Sequence, residues 1–214
     1  MSKLKPLLLA VCILFSAAAP AASTDDLIRP IQDRWAEIKY HSPAKQQAEL
    51  YSELSEKVRQ ISAANPNFPP ALIWEGIVVS SEAGARGGLG GLSLAKDAKK
   101  VLEESLKLDE KALNGSAYTS LAALYAKVPG WPLGFGDKKK AEELFLKSLS
   151  ANPDGIDPNY FYGEYLIDQE RVAEGRGYLE KALKAAPRPG RELADQGRRQ
   201  EIQTLLKQIA VASK

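Results

Sequence analysis

The chain of 214 residues holds one cysteine, one histidine and one methionine, and aromatic residues make up only 7% of it. Cys12 lies in the apolar run from Pro6 to Phe15, which follows Lys3 and Lys5 and gives way to small residues from Ser16 to Ser23. That order matches a secretory leader. The run is about half of the ~20 residues that a helix needs to cross a bilayer, and Pro20 interrupts its far end. Cleavage between Ala19 and Thr24 is therefore expected, with residues 1–23 removed and no transmembrane anchor left. Val11 beside Cys12 also departs from the lipoprotein pattern, which places a small residue there. Loss of the leader takes away the only thiol, so the mature chain is expected to hold no disulfide, thiolate nucleophile or Cys-ligated metal. His41 stands in a Ser42-Pro43 turn, and no spacing supplies the partners of a zinc cluster or a catalytic triad. Neither sign of charge predominates. The 29 basic residues less the two leader lysines equal the 27 acidic ones, which argues against nucleic acid as a partner, because phosphate contacts need a basic face.

What is present is a repeat. Ala141, Phe145, Ser148, Leu149 and Pro153 recur 34 residues later as Gly175, Leu179, Ala182, Leu183 and Pro187. A weaker copy runs through Ala98, Leu102, Ser105 and Leu106. Small, large and small residues at helical spacing let a neighbouring helix approach closely, and the proline stops the helix afterwards. Each such helix has an upstream partner with its own small anchor, namely Gly76, Ala122 and Gly163. A degenerate earlier pair runs through Trp35 and Ala36, then Leu54, Val58, Ile61 and Pro66.

These residues resemble the tetratricopeptide repeat family, whose period is about 34 residues. The resemblance implies an all-α fold, a right-handed superhelical stack of about four helical hairpins over residues 24–187. A C-terminal helix over 188–214, with Ile202, Leu205, Leu206 and Ile209 on one face, is expected to cap it. The arginines of this tail, Arg188, Arg191, Arg198 and Arg199, are expected to be solvated or paired with Glu192, Asp195 and Glu201. The stretch from Pro158 to Leu166 and the Pro-Gly-Trp-Pro turn are also similar to exported bacterial repeat proteins, and the chain is similar in outline to the periplasmic components associated with TRAP-type solute transporters.

Two hairpin turns are longer than the 12 residues from Gly163 to Gly175: Ala122 to Ala141 spans 19 and Gly76 to Ala98 spans 22. Both extra segments fall at the same place in their unit and are expected side by side along one edge of the stack. In the first, Trp131 and Phe135 sit among glycines and prolines that can fix a loop. They are candidate lining of a ligand or partner pocket, or else a plug folded over the hairpin end. In the second, five glycines from Gly84 to Gly91 surround Arg86. The segment lacks the Lys and Ser or Thr of a nucleotide loop and reads as a flexible connector, with Arg86 beside Trp131 as a candidate for an anionic group. Tyr160 and Glu164 share a helix face that is expected to line the concave groove. No acid, base and nucleophile set emerges, so neither an enzyme nor a cofactor is expected. The expected role is a periplasmic scaffold for a protein or peptide partner in the cell envelope. The alternative is a transporter accessory that binds an apolar or anionic small molecule.

Overall fold

The computed structural model describes residues 24–212; the expected leader, Cys12 and the last two residues lie outside that range. The described chain is all-helical, with helices α1 (Thr24–His41), α2 (Ala44–Ala64), α3 (Pro69–Arg86), α4 (Gly88–Leu108), α5 (Ser116–Lys127), α6 (Lys138–Ala151), α7 (Ile156–Asp168), α8 (Val172–Leu183) and α9 (Glu192–Ala212). A 3-10 turn, Ala112–Gly115, joins α4 to α5.

Local chemistry sets the boundaries. Pro69 and Pro70 open α3, where a missing N–H costs nothing because the first turn has no intrahelical acceptors. Asp137 caps α6, its Oδ1 accepting from the Lys140 amide at 3.0 Å. The small anchors mark helix crossings: Ala98, Ala122 and Ala141 are fully buried, and a Cβ on Gly175 would stand 2.7 Å from the Gly163 carbonyl oxygen. Large partners fill the space beside them, Leu102 against Gly76 and Leu179 against Gly163.

The glycine-rich segment is not a connector. Helix α3 runs through Gly84 to Arg86 and α4 begins at Gly88, leaving Gly87 alone between them. Gly87 and Gly88 take φ of 63° and 56°, the left-handed region in which glycine pays no Cβ penalty. Gly91 presses on α3, where a Cβ would lie 2.5 Å from the Ala83 carbonyl oxygen. The extra residues thus lengthen both helices, to 18 and 21 residues against 13 and 12 in α7 and α8.

Every helix packs on its sequence neighbour within a hairpin, and the odd-numbered helices also pack on one another. Helix α1 meets α3, α3 meets α5, α5 meets α7, and α7 meets α9. Helix α9 then returns to α1 and closes the circuit. The sequence places α9 as an end cap, and it does cover α8 with Ile202, Leu205 and Leu206. Its other face carries Ala194 into the core built by α1, α2 and α3. Gly197 allows this seam, since a Cβ there would clash with the Tyr40 ring.

Candidate functional site

Within the circuit of odd-numbered helices lies a cleft of about 1460 Å³. Its wall combines aromatic rings, among them Trp35, Trp74, Tyr160 and Phe161, with the charged groups Lys39, Lys127, Glu164, Arg188, Arg191 and Arg198. Trp35 lies edge-on to both Tyr40 and Trp74, each at 6.1 Å between ring centroids. The indole N–H of Trp35 donates to Ser81 Oγ at 2.8 Å. Tyr51, also in this wall, is buried with no hydrogen-bond partner for its hydroxyl.

Two of the tail arginines take the paired alternative, Arg188 with Asp195 and Arg198 with Glu201. Arg198 is buried between the rings of Tyr160 and Phe161, 4.3 and 4.6 Å from their centroids. It donates to Asp157 at 3.0 Å and to Glu201 at 2.7 Å. Arg188 reaches Asp157 at 2.7 Å and Asp195 at 2.6 Å. Burial opposes ionisation of Asp157, but Arg198 and then Arg188 outweigh it and hold the carboxyl down at about 2. Lys39 adds a 3.3 Å pair with Glu201, and the Tyr40 hydroxyl donates to the same carboxylate. A charged cluster on α1, α7, α9 and the segment before α9 therefore ties α1 to α9 across one wall of the cleft.

Arg191 differs from its neighbours. Its guanidinium lies 4.9 Å above the Trp74 ring. No carboxylate among the described residues stands within ion-pair distance of it. Burial, and next the charge of Arg188, lower its pKa to about 10 against the pull of Asp157 and Asp195.

Of the residues singled out in the sequence, Tyr160 and Glu164 line the cleft. Glu164 pairs with Lys127 at 3.4 Å, and Lys127 also binds Asp168 at 2.8 Å. Burial works against the Lys127 ammonium, yet the bond to Asp168 and the charge of Glu164 prevail and raise its pKa. Phe135 folds back, edge-on to Tyr125 at 5.4 Å, and packs against the core as the plug alternative expects. Trp131 does not follow it and stays 90% exposed. Backbone bonds close the loop between them, from the Gly136 amide to Pro129 and from the Asp137 amide to Tyr125. The two extended hairpin ends do meet, since a Cβ on Gly134 would lie 3.2 Å from Leu92 Cδ1.

Arg86 is not presented to an anion beside Trp131. Its Nε donates to Glu82 at 2.9 Å and its Nη2 to Ser52 at 3.0 Å. Glu82 is only 3% exposed, so Arg86 neutralises a buried carboxylate and has a structural task.

The turn from α4 to α5 also lines the cleft through Leu113 and Asn114. Both have positive φ, 47° and 55°, followed by Gly115 at 73°. Left-handed leucine is unfavourable by about 1–2 kcal/mol, and strain of this kind gathers at binding sites. Among the described residues no group of three or more His, Cys, Asp or Glu side chains could hold a metal ion, and no helix is long and apolar enough to cross a membrane. No protein-family model matches the chain, and no curated protein matches it in sequence.

Proposed function

We propose that this chain is a non-catalytic binding protein of the periplasm, built from tetratricopeptide-like hairpins, that encloses a small molecule in its central cleft and serves a solute-handling system. In this account α1, α3, α5 and α7 are the concave face of a short right-handed superhelix, and α9 turns that open groove into a cavity. The observation that carries it is the cleft itself, some 1460 Å³, above the roughly 300–1000 Å³ of common small-molecule sites. Its occupant is thus bulky or elongated. Closure by α9 favours this over a scaffold for a folded partner, because a groove sealed at the seam no longer offers a continuous open surface.

Native mass spectrometry of protein gently purified from the envelope fraction, joined to thermal shifts over a metabolite and lipid panel, tests the proposal. A co-purifying small mass or a ligand-dependent shift supports it. Empty protein with no shift across the panel refutes it. N-terminal sequencing of the same sample checks export, with a first residue between Pro20 and Thr24 expected.

A second reading has its own support at the rim. Trp131, Leu133 and Leu89 are 90%, 70% and 87% exposed, on the two hairpin ends that meet at Leu92 and Gly134. Exposed large apolar groups gathered at one place mark interaction sites. There the protein or peptide partner expected from the sequence, such as another envelope component, would dock. Replacing Trp131, which does not line the cleft, by serine should then weaken its capture and leave ligand binding in the cleft intact.

A further inference from the structure

We infer that Arg191, stacked on Trp74, is the anchor for a single carboxylate at one end of an otherwise apolar ligand. This rests on the reading of the cleft as a small-molecule site and adds the chemical class of its occupant.

Around Arg191 the wall holds a linked set of ion pairs, and Arg29 on the same wall donates to the carbonyls of Pro189 and Gly190. Lys39, Arg188 and Arg198 engage Asp157, Asp195 and Glu201 in a linked set of ion pairs. Three cations thus meet three carboxylates. Arg191 is left over, with the Trp74 face as its companion and no acceptor for its guanidinium among the described residues. An arginine carries five N–H donors in a planar fork that suits the two oxygens of a carboxylate. Partial burial against an aromatic face makes such a cation costly without a counter-ion, and its depressed pKa records that cost. One unmatched positive charge calls for one negative charge. Arg188 and Arg29 add to the charge of Arg191 while Asp157 and Asp195 subtract from it, which leaves a net single positive charge that a carboxylate balances and a phosphate dianion exceeds.

The remainder of the ligand is specified by what surrounds the fork. Ile77 stands one turn along α3 from Trp74, and both it and the strained Leu113 pack against the same apolar cluster and line the cleft. An aliphatic or aryl chain could lie along these side chains with its carboxylate at Arg191. The buried Tyr51 hydroxyl belongs to this cluster as well and has no partner of its own.

The test uses the full mature chain and defined probes: octanoate and 4-phenylbutyrate, their neutral alcohols octanol and 4-phenylbutanol, and octyl phosphate, each titrated calorimetrically. At least one carboxylate should bind ten-fold or more tightly than its alcohol, and octyl phosphate should bind less tightly than octanoate. Arg191→Gln should remove the carboxylate preference, and Arg191→Lys should restore part of it. Arg191 holds no ion pair and gives up only its contact with the Trp74 face, so Arg191→Gln should lower the melting temperature of the unliganded protein only slightly, and loss of the acid-over-alcohol preference is the readout that a merely structural arginine would not show. Equal binding of acid and alcohol, or a preference untouched by Arg191→Gln, overturns the anchor and leaves the cleft reading in place. Tighter binding of octyl phosphate than of octanoate overturns the choice of a monoanion. No binding by any probe overturns the anchor, while the separate envelope-derived mass spectrum decides whether the cleft reading falls with it.

Discussion

Replacing Gly197 by alanine distinguishes a closed circuit of helices from an open array by the sign of the stability change. In an exposed helix interior, glycine to alanine stabilises by roughly 0.8–1.0 kcal/mol, because the backbone loses less freedom on folding. Gly177 in α8 is such a position, with no atom within 4 Å of an added Cβ. At Gly197 the added Cβ would stand 2.5 Å from both Cε1 and Cγ of Tyr40. That ring is wedged against Trp35 and its hydroxyl is held by Glu201, so it cannot swing aside cheaply. Overpacking of this kind costs about 1–3 kcal/mol. Less the propensity gain, Gly197→Ala should destabilise by about 1 kcal/mol, whereas Gly177→Ala should stabilise by a similar amount. For a domain of this size each kilocalorie moves the melting temperature by about 2–4 °C, so opposite shifts are measurable by urea titration or thermal melts. If Gly197→Ala stabilised the protein as Gly177→Ala does, α9 would not lie against Tyr40 and the closed seam would be refuted.

Other perturbations address the remaining interactions. Arg86→Ala strands the buried Glu82 carboxylate and should cost about 1–3 kcal/mol in urea denaturation; Arg86→Ala with Glu82→Gln should recover much of that loss. Asp157 has a folded pKa depressed from 3.8 to about 2, so its contribution is fully present above about pH 4 and is lost as pH falls towards 2. At 1.36 kcal/mol per pKa unit that contribution is about 2 kcal/mol, and Asp157→Asn should flatten the acid limb of stability between those limits while lowering stability at neutral pH. Gly175→Ala meets the rigid Gly163 backbone and should destabilise by about 2 kcal/mol in thermal melts, enough to separate it from the harmless Gly177→Ala. Trp131→Ala should leave the melting midpoint within about 0.5 kcal/mol of wild type, since its ring is almost wholly exposed.

Much of the helical arrangement was legible because its causes are local and periodic. The small residues Ala141 and Gly175, 34 apart, and Ala98 in the weaker copy pick out crossings that the structure makes. Helical periodicity puts Tyr160 and Glu164 on one face of α7, and both line the cleft. The glycine-rich stretch misled because glycine serves both bends and close packing: at Gly87 it makes a bend, but at Gly91 it lets a helix touch the Ala83 carbonyl. The isolation of Arg191 had no local signature. Glu192, Asp195 and Glu201 look available to it in the sequence, and only the circuit that brings Arg188 onto Asp195 and Arg198 onto Glu201 leaves Arg191 with Trp74. The same holds for Arg86, whose task depends on the burial of Glu82 one helical turn earlier.

The meeting of α1 with α9 can be measured directly with cysteines introduced by Lys39→Cys and Glu201→Cys, whose native side chains approach to 3.3 Å, in a chain carrying Cys12→Ser. A short bismaleimide should link them rapidly within one molecule, and urea should abolish that link. Cross-linking no faster than in the unfolded chain, or only between molecules, would contradict the closed cleft.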